Sequence, residues 1–340
     1  MGLPYGAFVI SLDFELHWGV RDYCGPNHPY NLNLLHSRRV VPRLLDIFEQ
    51  YNVEATWAIV GSLFAENREH YQRHLPTILP SYSNIRLFPY SEDMGEGEWD
   101  DPLHYASSLI KLIKQSSKQE IGTHTYSHYY CLEKGQTKEM FASDLKSAMA
   151  IAKDMDIQIR SIVFPRNQHN PAYDKVLLDH GILCYRGNPT HPAYHIDQKS
   201  QSISKRIYRL SDSYWHFSGS LLHPWDKVVD PSGLCNVAGS RFFRPYQPYL
   251  SSLETKRLEL IKSAIQEAAR TRQIFHLWWN PHNFGNAVDE NFYALIEILE
   301  EFKRMHLQFG MQSLSMYKTA QIAKEHYRPK QLHENKVLTL

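Results

Sequence analysis

The chain alternates short apolar runs with longer stretches in which apolar residues recur every three or four positions. Runs at residues 7–12 (AFVISL), 53–60, 120–123, 159–164, 182–185, 274–279 and 308–311 read as buried strands. Residues 37–50, 103–114, 138–155, 172–180, 253–270, 290–304 and 315–325 carry helical spacing. In the first of these helices the pairs Val40/Val41, Leu44/Leu45 and Ile47/Phe48 mark the buried face. Ser37 reads as its cap, and Pro42 is tolerable only in a first turn. From about residue 187 to 250 the periodicity weakens and Pro, Ser, His and Tyr accumulate, which predicts a loop-rich insertion with a few short strands.

Alternating strands and helices predict an α/β fold with a parallel sheet, either open or closed into a barrel. Residues 1–328 read as one domain and 329–340 as a polar tail. Such folds do their chemistry at the carboxyl ends of strands. Asp13 and Glu15 follow the first strand, His124 the third, Arg166 and Asn167 the fourth, and His282 a late one.

Composition narrows the function. Lys plus Arg number 37 and Asp plus Glu 36, for a formal charge of +1, so no long-range basic field favours nucleic acid or an anionic membrane. The four cysteines are scattered and form no C-x-x-C pair, which speaks against a zinc knuckle or dithiol motif and for reduced thiols. The first apolar run is short, lacks a basic leader and is interrupted by Asp13 and Glu15, unlike a signal peptide. No segment approaches the ~20 apolar residues of a membrane span, so a soluble cytoplasmic chain is expected. Nothing in the sequence specifies an oligomeric state.

The candidate chemistry centres on Gly122-Thr123-His124-Thr125-Tyr126-Ser127-His128. Histidines at i and i+4 share one face of a helical turn, so both imidazoles can reach one cation. Two such ligands need a third. Asp13-Phe14-Glu15 supplies it: carboxylates at i and i+2 of a strand point to the same side and repel unless a cation or proton shares the site. Glu15 can then ligate while Asp13 stays free as a base.

These segments resemble a family. S-L-D-F-E after the first strand, E-I-G-T-H-T-Y-S-H in the middle, F-P-R-N-Q after a later strand and H-L-W-W-N-P-H-N near the end resemble, in order, the motifs of polysaccharide deacetylases. These form the NodB-homology group, carbohydrate esterase family 4. The resemblance spans about residues 8–284, and F-P-R-N-Q is similar to a subgroup from bacterial surface-polysaccharide loci. It implies a distorted (β/α) barrel and one divalent metal ion held by a carboxylate and two histidines. Zinc is foremost, with cobalt, nickel or iron suited to the same donors. The implied reaction is hydrolysis of an N-acetyl, less often O-acetyl, group on a sugar or polysaccharide precursor.

Carried over by position, Asp13 is the base, Glu15, His124 and His128 hold the metal, and Arg166 orients the base. The family's usual adjacent aspartates are here an Asp and a Glu separated by Phe14, and Arg166 follows Pro165 where the family's arginine precedes the proline. Asn280 stands where the family's catalytic histidine is expected, which leaves His282 or His276 as the acid. His282 is preferred because it follows the strand end. Asn167, Trp278 and Trp279 are the expected substrate contacts. His17 and Trp18 are placed to line the site. The run 214–217 (YWHF) reads as a cleft wall or a cover over the barrel mouth, and Asn170 as a substrate contact, turn or cap residue. Two alternatives stand: a catalytically impaired carbohydrate-binding relative, and a metal-dependent amidohydrolase acting on a small non-sugar amide.

Overall fold

A computed structural model describes residues 3–25, 27–196 and 203–327, and the expected tail at 329–340 lies outside them. In chain order the elements are β1 (Ala7–Phe14), α1 (Asn31–Gln50), β2 (Ala55–Ile59), α2 (Arg68–Arg73), α3 (Ser107–Gln115), β3 (Gln119–Thr123), α4 (Lys138–Lys153), β4 (Ser161–Val163), α5 (Asp174–Asp179) and β5 (Cys184–Arg186). There follow α6 (Ile203–Trp215), β6 (Cys235–Asn236), β7 (Arg241–Phe242), α7 (Glu254–Thr271), β8 (Ile274–Trp279), α8 (Val288–Phe309), β9 (Gln312–Leu314) and α9 (Met316–His326).

All strand pairs are parallel, in the order β6-β5-β4-β3-β2-β1-β8-β7. Every residue of β1 is buried, as expected of a strand covered on both faces. Its even positions Phe8, Ile10, Leu12 and Phe14 join the large core shared with the helices. Its odd positions Ala7 and Val9 pack with Ala58, Val163, Cys184, Val237 and residues of α9, filling the base of the barrel. Ser11 and Asp13 continue that inward row. The lower part of β1 pairs with β9 at Ala7–Val9, and its upper part pairs with β2 from Ile10 to Phe14.

The two end strands of the sheet are neighbours in sequence. Val237 donates its backbone N–H to Tyr185 and Gly239 to Gly187, after which Ser240 donates to His276 and Phe243 to Trp278. One short segment thus hydrogen-bonds first to β5 and then to β8, and curls the sheet into the distorted (β/α) barrel predicted from the resemblance.

Three elements differ from expectation. The first helix begins at Asn31, so Ser37 is buried within it and Pro42 lies in its interior. Its added turns pack on the turn at Pro281–Gly285: His36 Nδ1 donates to the Gly285 carbonyl at 2.5 Å, and a Cβ on Gly285 would fall 2.4 Å from the Asn33 carbonyl oxygen. The insertion contains α6, a 13-residue helix, where only loops and short strands were expected. Ile203, Ile207, Leu210 and Tyr214 are its helical stripe, hidden in the sequence by the polar residues around them. Residues 308 and 309 end α8, which stops where Gly310 takes φ 68°, and the strand forms after it. All four cysteines are free and buried.

Candidate metal centre

Asp13 lies at the inner mouth of the barrel, 5% exposed. Arg186, the last residue of β5, grips it with two parallel bonds: Nη1 to Oδ1 and Nη2 to Oδ2, both 2.7 Å. Arg186 is itself tied to Ser11 Oγ at 2.9 Å and Asn167 Oδ1 at 2.9 Å, and lies 4.2 Å over the Trp278 ring. A bidentate guanidinium pair of this kind balances the buried carboxylate and fixes its plane.

Glu15 leaves the strand one residue later and meets a different set of partners. Leu16 beyond it has φ 44°, a conformation costly for a branched side chain, which turns the chain back so that the Glu15 carboxylate folds against Gly19. A Cβ on Gly19 would fall 2.1 Å from Glu15 Cδ. Glu15 Oε2 lies 3.2 Å from His124 Nε2 and 3.0 Å from His128 Nε2, while Oε1 accepts from Asn280 Nδ2 at 2.6 Å. Burial alone would raise the Glu15 pKa, but its bonds to His124 and His128 outweigh that and hold it well below the ordinary carboxylate value.

The histidines converge by a route other than the expected helical turn. The stretch 124–130 is irregular, with Thr125 at φ 66° and His128 at φ 58°. Its backbone is pinned on both sides. His124 N–H donates to Ile59, while Gly61 and Ser62 donate to the carbonyls of Thr125 and Tyr126. Asp144 on α4 accepts from the N–H groups of Tyr126 and Ser127 at 2.7 and 3.2 Å and from Ser127 Oγ at 2.5 Å. Burial pushes this carboxyl up to about 6, against the pull of those bonds.

His124 Nδ1 donates to the Val163 carbonyl at 2.8 Å, which turns its Nε2 toward Glu15 Oε2. Burial lowers His128 to about 4, which keeps its ring neutral near pH 7; its Nδ1 lies 3.2 Å from the Tyr130 hydroxyl. Glu15, His124 and His128 together form a group that could hold a metal ion. Tetrahedral coordination with bonds near 2.1 Å separates ligand atoms by about 3.4 Å, close to the gaps seen here. Two further groups have similar composition, His17 with Glu92 and His104, and His70 with His74 and Asp154.

His282, on the turn after β8, is 4% exposed with Nε2 4.0 Å from Glu15 Oε1, and burial lowers its pKa. His276 lies deeper, bonded through Nε2 to Ser11 Oγ and through Nδ1 to the Val237 carbonyl. Arg166 is away from Asp13: its guanidinium reaches Asp22 at 2.5 Å and covers the Tyr130 ring. The contact to Asp13 expected of Arg166 is made by Arg186. Asn167 reaches the site through Arg186, and Trp278 is half-buried beneath that guanidinium. Trp279 is fully buried among Phe48, Phe243 and Phe284, in the core rather than on a cleft wall. Asn170 caps the Pro171–Tyr173 turn by accepting from Ala172 N–H. Trp18 is buried, with Nε1 donating to the His104 carbonyl, and His17 Nε2 lies 3.3 Å from Glu92. Of the run 214–217, Tyr214 is buried while Trp215 and Phe217 are exposed.

A family model described as polysaccharide deacetylase matches residues 28–185. Residues 28–185, a little under half of the chain, are thus similar to polysaccharide deacetylases. The matched stretch includes both histidines and Arg166, and leaves β1 and β8 on either side. Solved structures share the fold. A candidate polysaccharide deacetylase from Mycobacterium smegmatis is 14% identical, over 96% of this chain and 93% of that one, with a TM-score of 0.62. The Puue allantoinase is 11% identical, over 94% of this chain and 91% of that one, with a TM-score of 0.53. No curated protein matches. Among the described residues, no helix is long and apolar enough to cross a membrane.

Two contacts escaped the sequence reading: Arg186 on Asp13, and Asn280 on Glu15. Arg186 stands one residue past the predicted strand end at 185, where the strand-end rule would have found it.

Proposed function

We propose that the chain is a metal-dependent hydrolase that removes an acetyl group, foremost an N-acetyl group, from a sugar or polysaccharide precursor. The observation that carries this reading is the His124–Glu15 contact. His124 Nε2 lies 3.2 Å and His128 Nε2 3.0 Å from the same Glu15 oxygen, and one carboxylate with two imidazoles so converged is a donor set that suits a divalent cation. Glu15, His124 and His128 are the proposed ligands, leaving a coordination position open as in catalytic rather than structural zinc sites. Bound there, a divalent ion would supply Lewis-acid polarisation of the acetyl carbonyl and a water that ionises near neutral pH.

The chain's own residues do the rest. Arg186 keeps the Asp13 carboxylate in one orientation, with lone pairs remaining to take a proton from the attacking water. Asn280 fixes Oε1 of Glu15, which aims Oε2 at the histidines. The proton that Asp13 takes from water is the one the leaving amine needs, and His282, neutral at rest with Nε2 toward Glu15, would relay it there. Arg166 acts at the periphery through Asp22, Asn167 positions Arg186, and Trp278 offers a half-buried face for a sugar ring. Four buried free thiols fit a reducing compartment, where the substrate would be a precursor rather than a finished polymer.

Asn280 favours a second reading, a carbohydrate-binding relative without turnover, because it occupies the expected position of the acid. Acetate release from a panel of N-acetylhexosamines, with zinc, cobalt, nickel or iron restored after chelation, separates the two. Metal-stimulated release supports the hydrolase; sugar binding with no release under any metal supports the binding protein.

A further inference from the structure

A cavity of about 530 Å³ lies between α6, β7 and α7, and Asn167 and Trp278 form part of its wall. Both residues also touch Arg186, so the cavity shares a wall with the support of Asp13.

Its charge is one-sided. Arg241 is paired with Asp212, and Arg257 with Glu254. Arg209 and Arg244 also line it, and among the described residues neither forms an ion pair. Arg244 Nε donates to Ser213 Oγ at 2.7 Å and Arg209 Nε to the Lys205 carbonyl at 3.3 Å. Burial and the neighbouring guanidinium groups lower the pKa of both. Gathering unpaired guanidinium groups in a half-buried space is costly unless an anion joins them, and planar N–H forks suit phosphate oxygens. The chain as a whole has a charge of only +1, so this concentration is local.

One side of the wall is aliphatic. Ile203, Ile207 and Leu210 on α6 are 74%, 58% and 41% exposed, and Leu260 and Ile261 of α7 line the same cavity. Exposed aliphatic side chains gathered on one wall beside unpaired cations suit a ligand with an anionic group joined to an apolar one.

We propose that this cavity binds the phosphate of an acetylated glycosyl phosphate ester, with Arg209 and Arg244 as its cationic contacts and an alkyl chain lying on α6. The assignment rests on the deacetylase reading above for the sugar, but the phosphate and alkyl contacts can be tested without turnover. Isothermal titration of the full chain would use octyl phosphate, inorganic phosphate, octyl glucoside and uridine monophosphate as probes. Octyl phosphate should bind at least tenfold more tightly than the other three. Arg209→Gln and Arg244→Gln should each remove that preference and leave octyl glucoside binding unchanged, with melting curves confirming the fold. Should either variant melt early, Arg206→Gln, at an exposed arginine that also lines the cavity, should still weaken octyl phosphate. Equal affinity for octyl phosphate and octyl glucoside would overturn the phosphate assignment. Tighter binding of uridine monophosphate than of octyl phosphate would overturn the alkyl half in favour of a nucleotide. Absence of acetate release with any substrate would sink the reaction proposed above and leave these binding results standing.

Discussion

Two irregular stretches meet the barrel mouth, and they are built in opposite ways. Residues 124–130 are buried throughout, pinned to β2 and to Asp144, and hold two side chains in the left-handed region. The segment from 187 to 253 includes α6, with aliphatic and basic side chains left open to a cavity. Irregular backbone therefore serves two purposes here. The first stretch stores strain of about 1–3 kcal/mol per unusual residue to fix donor atoms. The second sets aliphatic and basic side chains along an open wall.

The contrast breaks most sharply at His124. His124→Ala should abolish both metal retention and acetate release, read by elemental analysis and activity on the same sample; full metal content with activity intact would end the metal reading. Asp144→Ala should cost about 3 kcal/mol, since three donors lose their acceptor. Denaturant melts would show it, and a wild-type midpoint would mean that the stretch holds itself.

Asp144 also predicts a pH signature. Its carboxyl lies near 6 in the folded chain, above the unfolded value of 3.8. The protonated form is favoured on folding, so this group's stabilisation is full below about pH 4 and is lost as pH rises through 6. The melting temperature of the wild type relative to Asp144→Asn should fall between pH 4 and 7, and a constant difference would contradict the raised pKa. Arg186→Gln should lower turnover on the order of 10²-fold with metal content unchanged, because it orients the base and touches no ligand. Lost metal in that variant would place Arg186 in the wrong role.

Smaller effects are expected further out. Gly19→Ala should displace the Glu15 carboxylate and weaken metal affinity by about tenfold, measured by competition with a chelator. Ile207→Ser, on the open wall, should change stability by no more than about 0.5 kcal/mol. A large loss there would show that α6 is core rather than cover.

Much of this was legible in the sequence. Strands at 7–12, 53–60, 120–123 and 274–279 stand close to where their apolar runs put them, because strands covered on both faces must be apolar. The two histidines meet as their spacing suggested, but through two positive φ angles that no spacing rule contains. The inward side of Asp13 and Glu15 was legible from strand alternation; their separate partners were not, because Arg186 and Asn280 are brought in by tertiary packing. Alternation would also have separated Trp278 from Trp279, since neighbours on a strand face opposite ways. The stripe of α6 was written at helical spacing but masked by composition.

The segment that joins β5 to β8 has a consequence for synthesis. β1, which carries Asp13 and leads into Glu15, pairs with the nearby β2 along its upper part but takes its other backbone partners from β8 and β9, more than 250 residues later. Emerging from a ribosome, the first half of the chain carries Asp13, Glu15, His124 and His128 but no closed ring to hold them. Such distant pairings make folding slow and leave sheet edges unpaired meanwhile. Shortening the excursion before residue 235 would therefore do more than trim a cavity wall: it would pull on the clasp that completes the ring, and a nascent chain so altered should be a better client for chaperones than a smaller enzyme.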